Sequence, residues 1–481
     1  MTSDGLVTAH LRHVLEDSLA DTSGERATDV PQLADADPDL FGIALATLDG
    51  HVHAVGDVDV RATLQSLSKP FAYALAVADL GVDEVRRHVD VEPSGEPFDA
   101  ISISPTTDRP RNPMINAGAL AATSLVRGAD PDERAERVRA LCSGLAGREL
   151  DVDEDAAAAE LESGQRNRAI AHLLLAHGRL GVDDPEDAVR AYVRQCALLV
   201  DVRDLAVMAA TLAGGGVNPL TGRRVLETWV VRHVLSVMLT CGMYDAAGDW
   251  VATVGLPAKS GISGGLMAAV PAELGVAAWS PRLDPHGRSV RGLAAVRRLS
   301  AEMDLHTLHV HRGGRPPVRS STTLADSPSS RERGPEDAAR LARDGHRSLV
   351  LALHGDVLFA AAERVVRAVE ESQEGLEAVV VDLRAVDEVV PAAARLLRAL
   401  PRALPGGGRR VFVVDPAGLL DGALSTQGSR DDGAGGDDDG GPVVVGDVDE
   451  ALAAAEDRVL GRADAPRAQG DAEVDGGAPR P

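Results

Sequence analysis

The chain has 481 residues, 44% of them hydrophobic, 26% charged and only 2% aromatic, with a formal net charge of −25. That length holds two or three domains with ordinary cores, and the acidic balance argues against nucleic acid as a partner, because a phosphate backbone needs a basic face. No run approaches the ~18 apolar residues of a membrane span, and the first residues, "MTSDGLVTAHLRHVLEDSLA", lack the apolar core of an export signal, so a cytoplasmic protein without a membrane partner is expected.

In chain order, the spacing predicts a helix over about residues 5–20. Strands follow at "FGIALATLD" (41–49) and "HVHAVGD" (51–57), joined by Asp49-Gly50, a hairpin signal. A long Ala- and Leu-rich region, about 66–245, has helical spacing with Gly and Pro breaks. Strands are expected again at "WVATVGLPA" (250–258) and "LGVAAWSP" (274–281), and a helix at 289–303 closes the unit. Terminal strands with helices inserted between them imply an antiparallel sheet plus a helical subdomain, an α+β fold over residues 1–312. Residues 313–345, rich in Pro, Ser, Arg and Asp, read as a linker.

A second, small α/β domain is expected over 346–461. Its strands fall at 348–357, 377–389 and 409–416, its helices at 359–372 and 391–404, and 443–460 supplies a short strand and a last helix. The acidic Gly-rich insert 428–442 is predicted to be disordered, and 462–481 has the composition of a tail.

The chemistry begins with lysine. Lys and Arg together number 49, yet only Lys69 and Lys259 are lysines. Arginine does not deprotonate in proteins, so a chain that otherwise uses arginine keeps lysine where a titratable amine is needed. Ser66 and Lys69 form S-x-x-K, and positions i and i+3 share one face of a helix. Serine becomes a nucleophile when a base takes its proton, and lysine serves once burial lowers its pKa. Lys259-Ser260-Gly261 matches the K-[ST]-G that walls the site of S-x-x-K serine hydrolases such as penicillin-binding proteins and class A β-lactamases. The N–H groups of Ser66 and Ile262 can then form an oxyanion hole.

Scarcity marks other residues. Of three tyrosines and four asparagines, Tyr73 is expected to pack, and Asn112 and Asn218, each before a proline, to form turns. Tyr192, Tyr244, Asn116 and Asn167 remain as candidates for proton relay and for binding a small polar ligand. Cys142, Cys196 and Cys241 match neither a disulfide framework nor a zinc site and read as buried free thiols.

These residues carry a resemblance. "LQSLSKPFAYALAVADLG", "RPRNPMINAGAL", "ESGQRNRAIAHLL", "YVRQCALLVDVRDLA" and "TCGMYDAAGDWVATVGLPAKSGISGG" together resemble the serine-dependent glutaminases, over about residues 25–310. The resemblance implies a β-lactamase-like fold, hydrolysis of L-glutamine to L-glutamate and ammonia without metal or organic cofactor, and a dimer or tetramer. It implies Ser66 as nucleophile, Lys69 as base and Tyr244 as a proton donor. Ser66, Asn116, Glu160, Asn167, Tyr192, Tyr244 and Ile262 match the substrate-contacting set, with Lys259, Ser260 and Gly261 in support. A carboxylate such as Glu160 suits the α-ammonium of glutamine, and amide side chains suit its carboxylate. Animal members carry a tyrosine before "IPxLA" that touches substrate; here the position is Asp29, and one contact is expected to be lost.

Residues 346–461 resemble a STAS domain through "LHGDVLFAAAERV" and "VVVDLRAVDEVVPAAARLL". Phosphoregulated members carry Ser or Thr two residues after the strand-end Asp. Here Arg384 follows Asp382, so no phosphoswitch is expected, while a regulatory ligand or protein partner fits. Two other readings stand beside this one. A penicillin-reactive enzyme is disfavoured by the missing export signal and by the contexts "INAG" and "CGMYDA". A regulatory scaffold with a vestigial hydrolase is disfavoured by the presence of every catalytic residue type.

Overall fold

In the computed structural model, which describes residues 5–28, 31–96, 100–308, 318–371, 375–403, 410–425 and 441–461, the chain divides after residue 310 into two units. The first opens with α1 (Leu6–Leu19), which buries Val7, Leu11, Val14 and Leu15 at helical spacing. The hairpin β1 (Gly42–Thr47) and β2 (Val52–Gly56) follows, antiparallel and closed through Asp49-Gly50. A 3₁₀ turn, Gln65–Ser68, leads into α2 (Lys69–Leu80), where Pro70 falls in the first turn and costs no backbone hydrogen bond.

The helical region comprises α3 (Asn116–Ser124), α4 (Pro131–Ala146), α5 (Glu154–Ser163), α6 (Gln165–Ala176), α7 (Pro185–Cys196), α8 (Val202–Ala213) and α9 (Thr228–Cys241). Asn112 and Asn218 form the expected turns, each side-chain Oδ1 accepting the N–H two residues on. Tyr73 is fully buried and its hydroxyl meets His233 Nε2 at 2.7 Å.

The expected strand at 250–258 is corrected. Residues Ala247–Thr253 form a helix, α10, and only Ala258–Ser260 is strand, β3. A short apolar run does not separate strand from buried helix. Burial of Ala247 and Trp250, and the Trp250 Nε1 bond to the Leu256 carbonyl at 2.8 Å, select the helix. A strand with no sequence signal, β4 (Gly265–Val270), hides behind Gly264-Gly265 and pairs with β5 (Leu274–Trp279); α11 (Val290–Met303) completes the unit. The sheet runs β2-β1-β5-β4-β3, antiparallel throughout. Every residue of β1, β4 and β5 is buried, so both faces are covered: α8 packs on one, α1 and α11 on the other. Burial of each large apolar side chain there contributes about 1.5–3 kcal/mol.

The second unit holds β6 (Val318–Thr322), α12 (Pro335–Asp344), β7 (Ser348–Val357), α13 (Phe359–Glu370), β8 (Ala378–Val389), α14 (Pro391–Ala403), β9 (Arg410–Val414), α15 (Leu419–Ser425), β10 (Val443–Val445) and α16 (Val448–Val459). Its sheet runs β10-β9-β8-β7-β6, parallel except for β6 at the edge. Arg384 folds back on Asp382, its Nε at 2.9 Å.

The expected linker is the second correction, since β6 and α12 fall inside 313–345. Ordinary side chains fasten it: Ser329 donates to Glu456 from its N–H at 2.6 Å and its hydroxyl at 2.7 Å. Ser330 Oγ donates to Asp449 at 2.7 Å, and Arg333 Nε to Glu456 at 3.0 Å. Polar composition suggested a solvated connector, but these groups find partners on α16. Glu456 and Arg333 are nearly fully buried. Arg333→Ala is therefore expected to cost about 3–5 kcal/mol by stranding a buried carboxylate. Hydrogen exchange on the full chain should show that loss in residues 318–344 and 448–459, and unchanged protection would restore the linker reading. Residues 428–440, most of the predicted disordered insert, and the tail 462–481 lie outside the described residues.

Candidate active site

The 3₁₀ turn places Ser66, and a backbone oddity shapes it. Gln65 has φ 48°, a left-handed conformation that costs a non-glycine residue about 1–3 kcal/mol unless its surroundings hold it. Its side chain is held: Nε2 donates to Thr63 Oγ1 at 3.4 Å and to Glu160 Oε2 at 3.2 Å. Gln65 is one of seven glutamines, and its scarcity and its position directly before Ser66 were the signals available in the sequence.

Lys69, at the start of α2, is fully buried. Its Nζ donates to Asn116 Oδ1 at 2.7 Å. Burial pulls its pKa down to about 8, with the nearby Glu160 carboxylate opposing. Asn116 in turn donates from Nδ2 to Asn167 Oδ1 at 3.4 Å, which ties α3 to α6. Glu160, on α5, retains some surface exposure, yet enough protein surrounds its carboxyl to push the pKa up to about 7, opposed by the Gln65 bond and Lys69.

The other wall comes from the sheet. Gly242, after α9, lies so close to β3 that a Cβ there would sit 1.9 Å from the Ala258 carbonyl oxygen, so only glycine allows the approach. Tyr244 follows with φ 58°, a second strained residue. Lys259 Nζ donates to Tyr244 Oη at 2.5 Å and to the Ser260 carbonyl at 2.5 Å, and lies 4.1 Å from the tyrosine ring centroid. Lys69 Nζ lies 5.8 Å from the same centroid. The two lysines thus flank one phenol. Burial first, then Lys69, holds Lys259 well below the ordinary amine range. Burial raises the pKa of Tyr244, with a hydrogen bond to Ser66 opposing, so the phenol keeps its proton.

Gly261 approaches the nucleophile turn: a Cβ there would meet Leu67 at 3.3 Å and the Leu64 carbonyl oxygen at 3.4 Å. Ile262 follows in the turn after β3. Its N–H has no acceptor among the described residues, and its side chain lines a cavity of about 200 Å³ with Leu33, Thr63 and Trp279. Tyr192, on α7, is buried beside Cys196, and burial raises its pKa well above the usual range. The three cysteines are free and buried.

Of the residues singled out in the sequence, Ser66, Lys69, Asn116, Asn167, Glu160, Tyr192, Tyr244, Lys259, Ser260 and Gly261 are linked by these contacts, with Ile262 adjoining. Asp29 lies outside the described residues. Among the described residues no group of three or more His, Cys, Asp or Glu side chains is placed to hold a metal ion, and no helix is long and apolar enough to cross a membrane.

A family model described as Glutaminase matches residues 24–308. A glutaminase of Corynebacterium glutamicum is 43% identical over 423 residues, 87% of this chain and 97% of that protein. Since 423 residues exceed the first unit, this similarity runs into the second. A glutaminase of Clavibacter michiganensis is 51% identical over 60% of this chain and 89% of its own length. The crystal structure of Mglu aligns with a TM-score of 0.62 at 42% identity, covering 85% of this chain and 98% of that one. The probable glutaminase ybaS aligns at 0.60 and 37% identity, covering 63% of this chain and 99% of that one.

Proposed function

The chain belongs to the glutaminase family and hydrolyses L-glutamine to L-glutamate, and on that premise we propose that it does so through a γ-glutamyl ester on Ser66. The observation that carries this reading is Lys69: a buried amine three residues past Ser66 with its pKa lowered to about 8, so that about a tenth is free base at pH 7 and about half at pH 8. Lys69 takes the Ser66 proton as the hydroxyl attacks the side-chain amide carbon. The N–H groups of Ser66 and Ile262 face the oxyanion. Tyr244 protonates departing ammonia: its oxygen accepts from Lys259, which leaves the phenol proton to give. Lys69 then passes the proton it took to the Tyr244 phenolate, which restores both groups, and water hydrolyses the ester with Lys69 again as base and Ser66 Oγ leaving with that proton. No step calls on a metal or organic cofactor. An ammonia-release assay on the full chain with glutamine and with asparagine tests substrate choice. Normal glutamine binding without turnover would favour a regulatory scaffold, and covalent labelling by a fluorescent penicillin would favour a penicillin-reactive enzyme.

Glu160 is assigned the α-ammonium of glutamine, with Asn116, Asn167 and Tyr192 contributing to the rest of the substrate. A carboxyl with pKa raised to about 7 holds its proton below that pH and then offers the ammonium no charge. KM for glutamine is therefore expected to rise about tenfold per pH unit below 7. Glu160→Gln should raise KM at pH 8 and flatten that dependence; an unchanged KM in this variant would remove Glu160 from the substrate.

The first unit is read as β-lactamase-like and the second as STAS-like. The parallel sheet with a single antiparallel edge strand supports the second reading, and its role is regulatory or partner-binding. The Asp382–Arg384 pair fits a member without a phosphoswitch. A cytoplasmic homodimer or homotetramer completes the proposal, with sedimentation as its test.

A further inference from the structure

Behind the nucleophile turn runs a line of buried hydrogen bonds that this chemistry leaves unused. Ser68 Oγ donates to the Gln65 carbonyl at 2.8 Å. Gln195 Nε2, from α7, donates to Ser68 Oγ at 3.3 Å. Thr123 Oγ1, from α3, donates to Gln195 Oε1 at 3.2 Å. Ser68, Gln195 and Thr123 are each 0% exposed. The direction of the line is forced from one end. A carbonyl only accepts, so Ser68 spends its single proton on Gln65. Ser68 must then accept from Gln195, which turns its amide oxygen toward Thr123.

The Gln65 carbonyl and the Ser66 N–H belong to one planar peptide unit and point in opposite directions. Anchoring the carbonyl on the α7 side therefore aims the Ser66 N–H away from it. The same anchor holds Gln65 at φ 48°, a conformation that persists only where the surroundings over-determine it. We infer that Gln195 is a positioning residue for the reaction: through Ser68 it clamps the peptide between Gln65 and Ser66, and so fixes the Ser66 N–H as an oxyanion donor. The inference rests on the proposed role of Ser66. It also couples the nucleophile turn to α7, where Tyr192 lies one helical turn before Gln195.

A misaimed oxyanion donor weakens the transition state more than the bound substrate. In the full-length chain, Gln195→Leu is expected to lower kcat about tenfold to a hundredfold and to change KM less than about threefold. Ser68→Ala should do the same. The double variant should be no worse than Ser68→Ala alone, because both changes cut one line. Gln195→Glu adds a signature that loosened packing does not give. Protonated, a buried carboxyl donates to Ser68 and accepts from Thr123; ionised, it only accepts and draws the Ser68 proton off the Gln65 carbonyl. Its kcat relative to wild type, at saturating glutamine, should rise as pH falls.

A Gln195→Leu kcat within twofold of wild type overturns the inference, as does a KM rise matching the kcat loss, or losses that multiply in the double variant. If Gln195→Leu does not fold, Thr123→Val removes only the far donor and should lower kcat several-fold without moving KM; an unchanged kcat there overturns the inference equally. Ser66→Ala in the same assay separates the two readings. An inactive Ser66→Ala beside a fully active Gln195→Leu sinks the positioning role alone, whereas an active Ser66→Ala sinks the serine mechanism.

Discussion

Ser66→Ala is expected to lower kcat for glutamine hydrolysis by about 10⁴–10⁶-fold, the range seen when a covalent nucleophile is removed. The hydroxyl has no substitute in the site. Tyr244, its hydrogen-bond neighbour, keeps its proton because burial raises its pKa, and Cys196 is a buried thiol whose pKa burial also raises. Glutamine binding should persist, since Glu160, Asn116 and Asn167 are untouched and the substitution removes one oxygen. Calorimetric titration of the variant should show binding near wild-type strength while ammonia release falls to background. Acid-quenched wild-type enzyme should carry a γ-glutamyl group on Ser66 by mass spectrometry, and the variant none. Turnover within tenfold of wild type would remove the serine from the mechanism.

Lys69→Arg should cost about 10²–10⁴-fold in kcat, the usual worth of a positioned general base. Charge is kept and the ability to lose a proton is not, because arginine stays protonated in proteins. The larger guanidinium also enters a fully buried place, so Lys69→Ala supplies the control. If the amine is the base, added small alkylamines should restore part of the alanine variant's rate, more for the more basic amines. In the wild type, the lowered pKa predicts that kcat rises with pH through about 8 and levels off above it, as the amine becomes free base. A kcat that is flat across that range, or near-wild-type turnover in Lys69→Arg, would overturn the assignment and pass the base role to Lys259. This kcat profile is separable from the KM dependence on Glu160, which acts below about pH 7.

The candidate site was legible to an unusual degree because composition did the filtering. With two lysines, three tyrosines and four asparagines in 481 residues, each survivor of the bias toward Ala, Gly, Val and Arg stood out, and the S-x-x-K and K-S-G spacings tied both lysines to one chemistry. Ser68 and Thr123 belong to common residue types, and Gln65 and Gln195 are two of seven glutamines with no spacing motif to tie them to this chemistry. Their roles arise from contacts as distant as Ser68 with Gln195, 127 residues apart, which no periodicity reports.

The elements divide the same way. The Asp49-Gly50 turn placed the hairpin at Gly42–Gly56 although β1 is buried on both faces, and helical spacing placed α1 and α11 because one buried face suffices to write that pattern. The run "WVATVGLPA" has no polar face, so burial of Trp250 decided between helix and strand. Residues 318–344 look solvated, and only the carboxylates of α16 reveal why they fold. The sequence by itself determined which residue types were available for acid–base work, since that is intrinsic side-chain chemistry. The tertiary structure decided their protonation and aim. Burial lowers the pKa of both lysines and raises that of Tyr244, and packing holds Gln65 and Tyr244 in backbone conformations that neither residue adopts unaided.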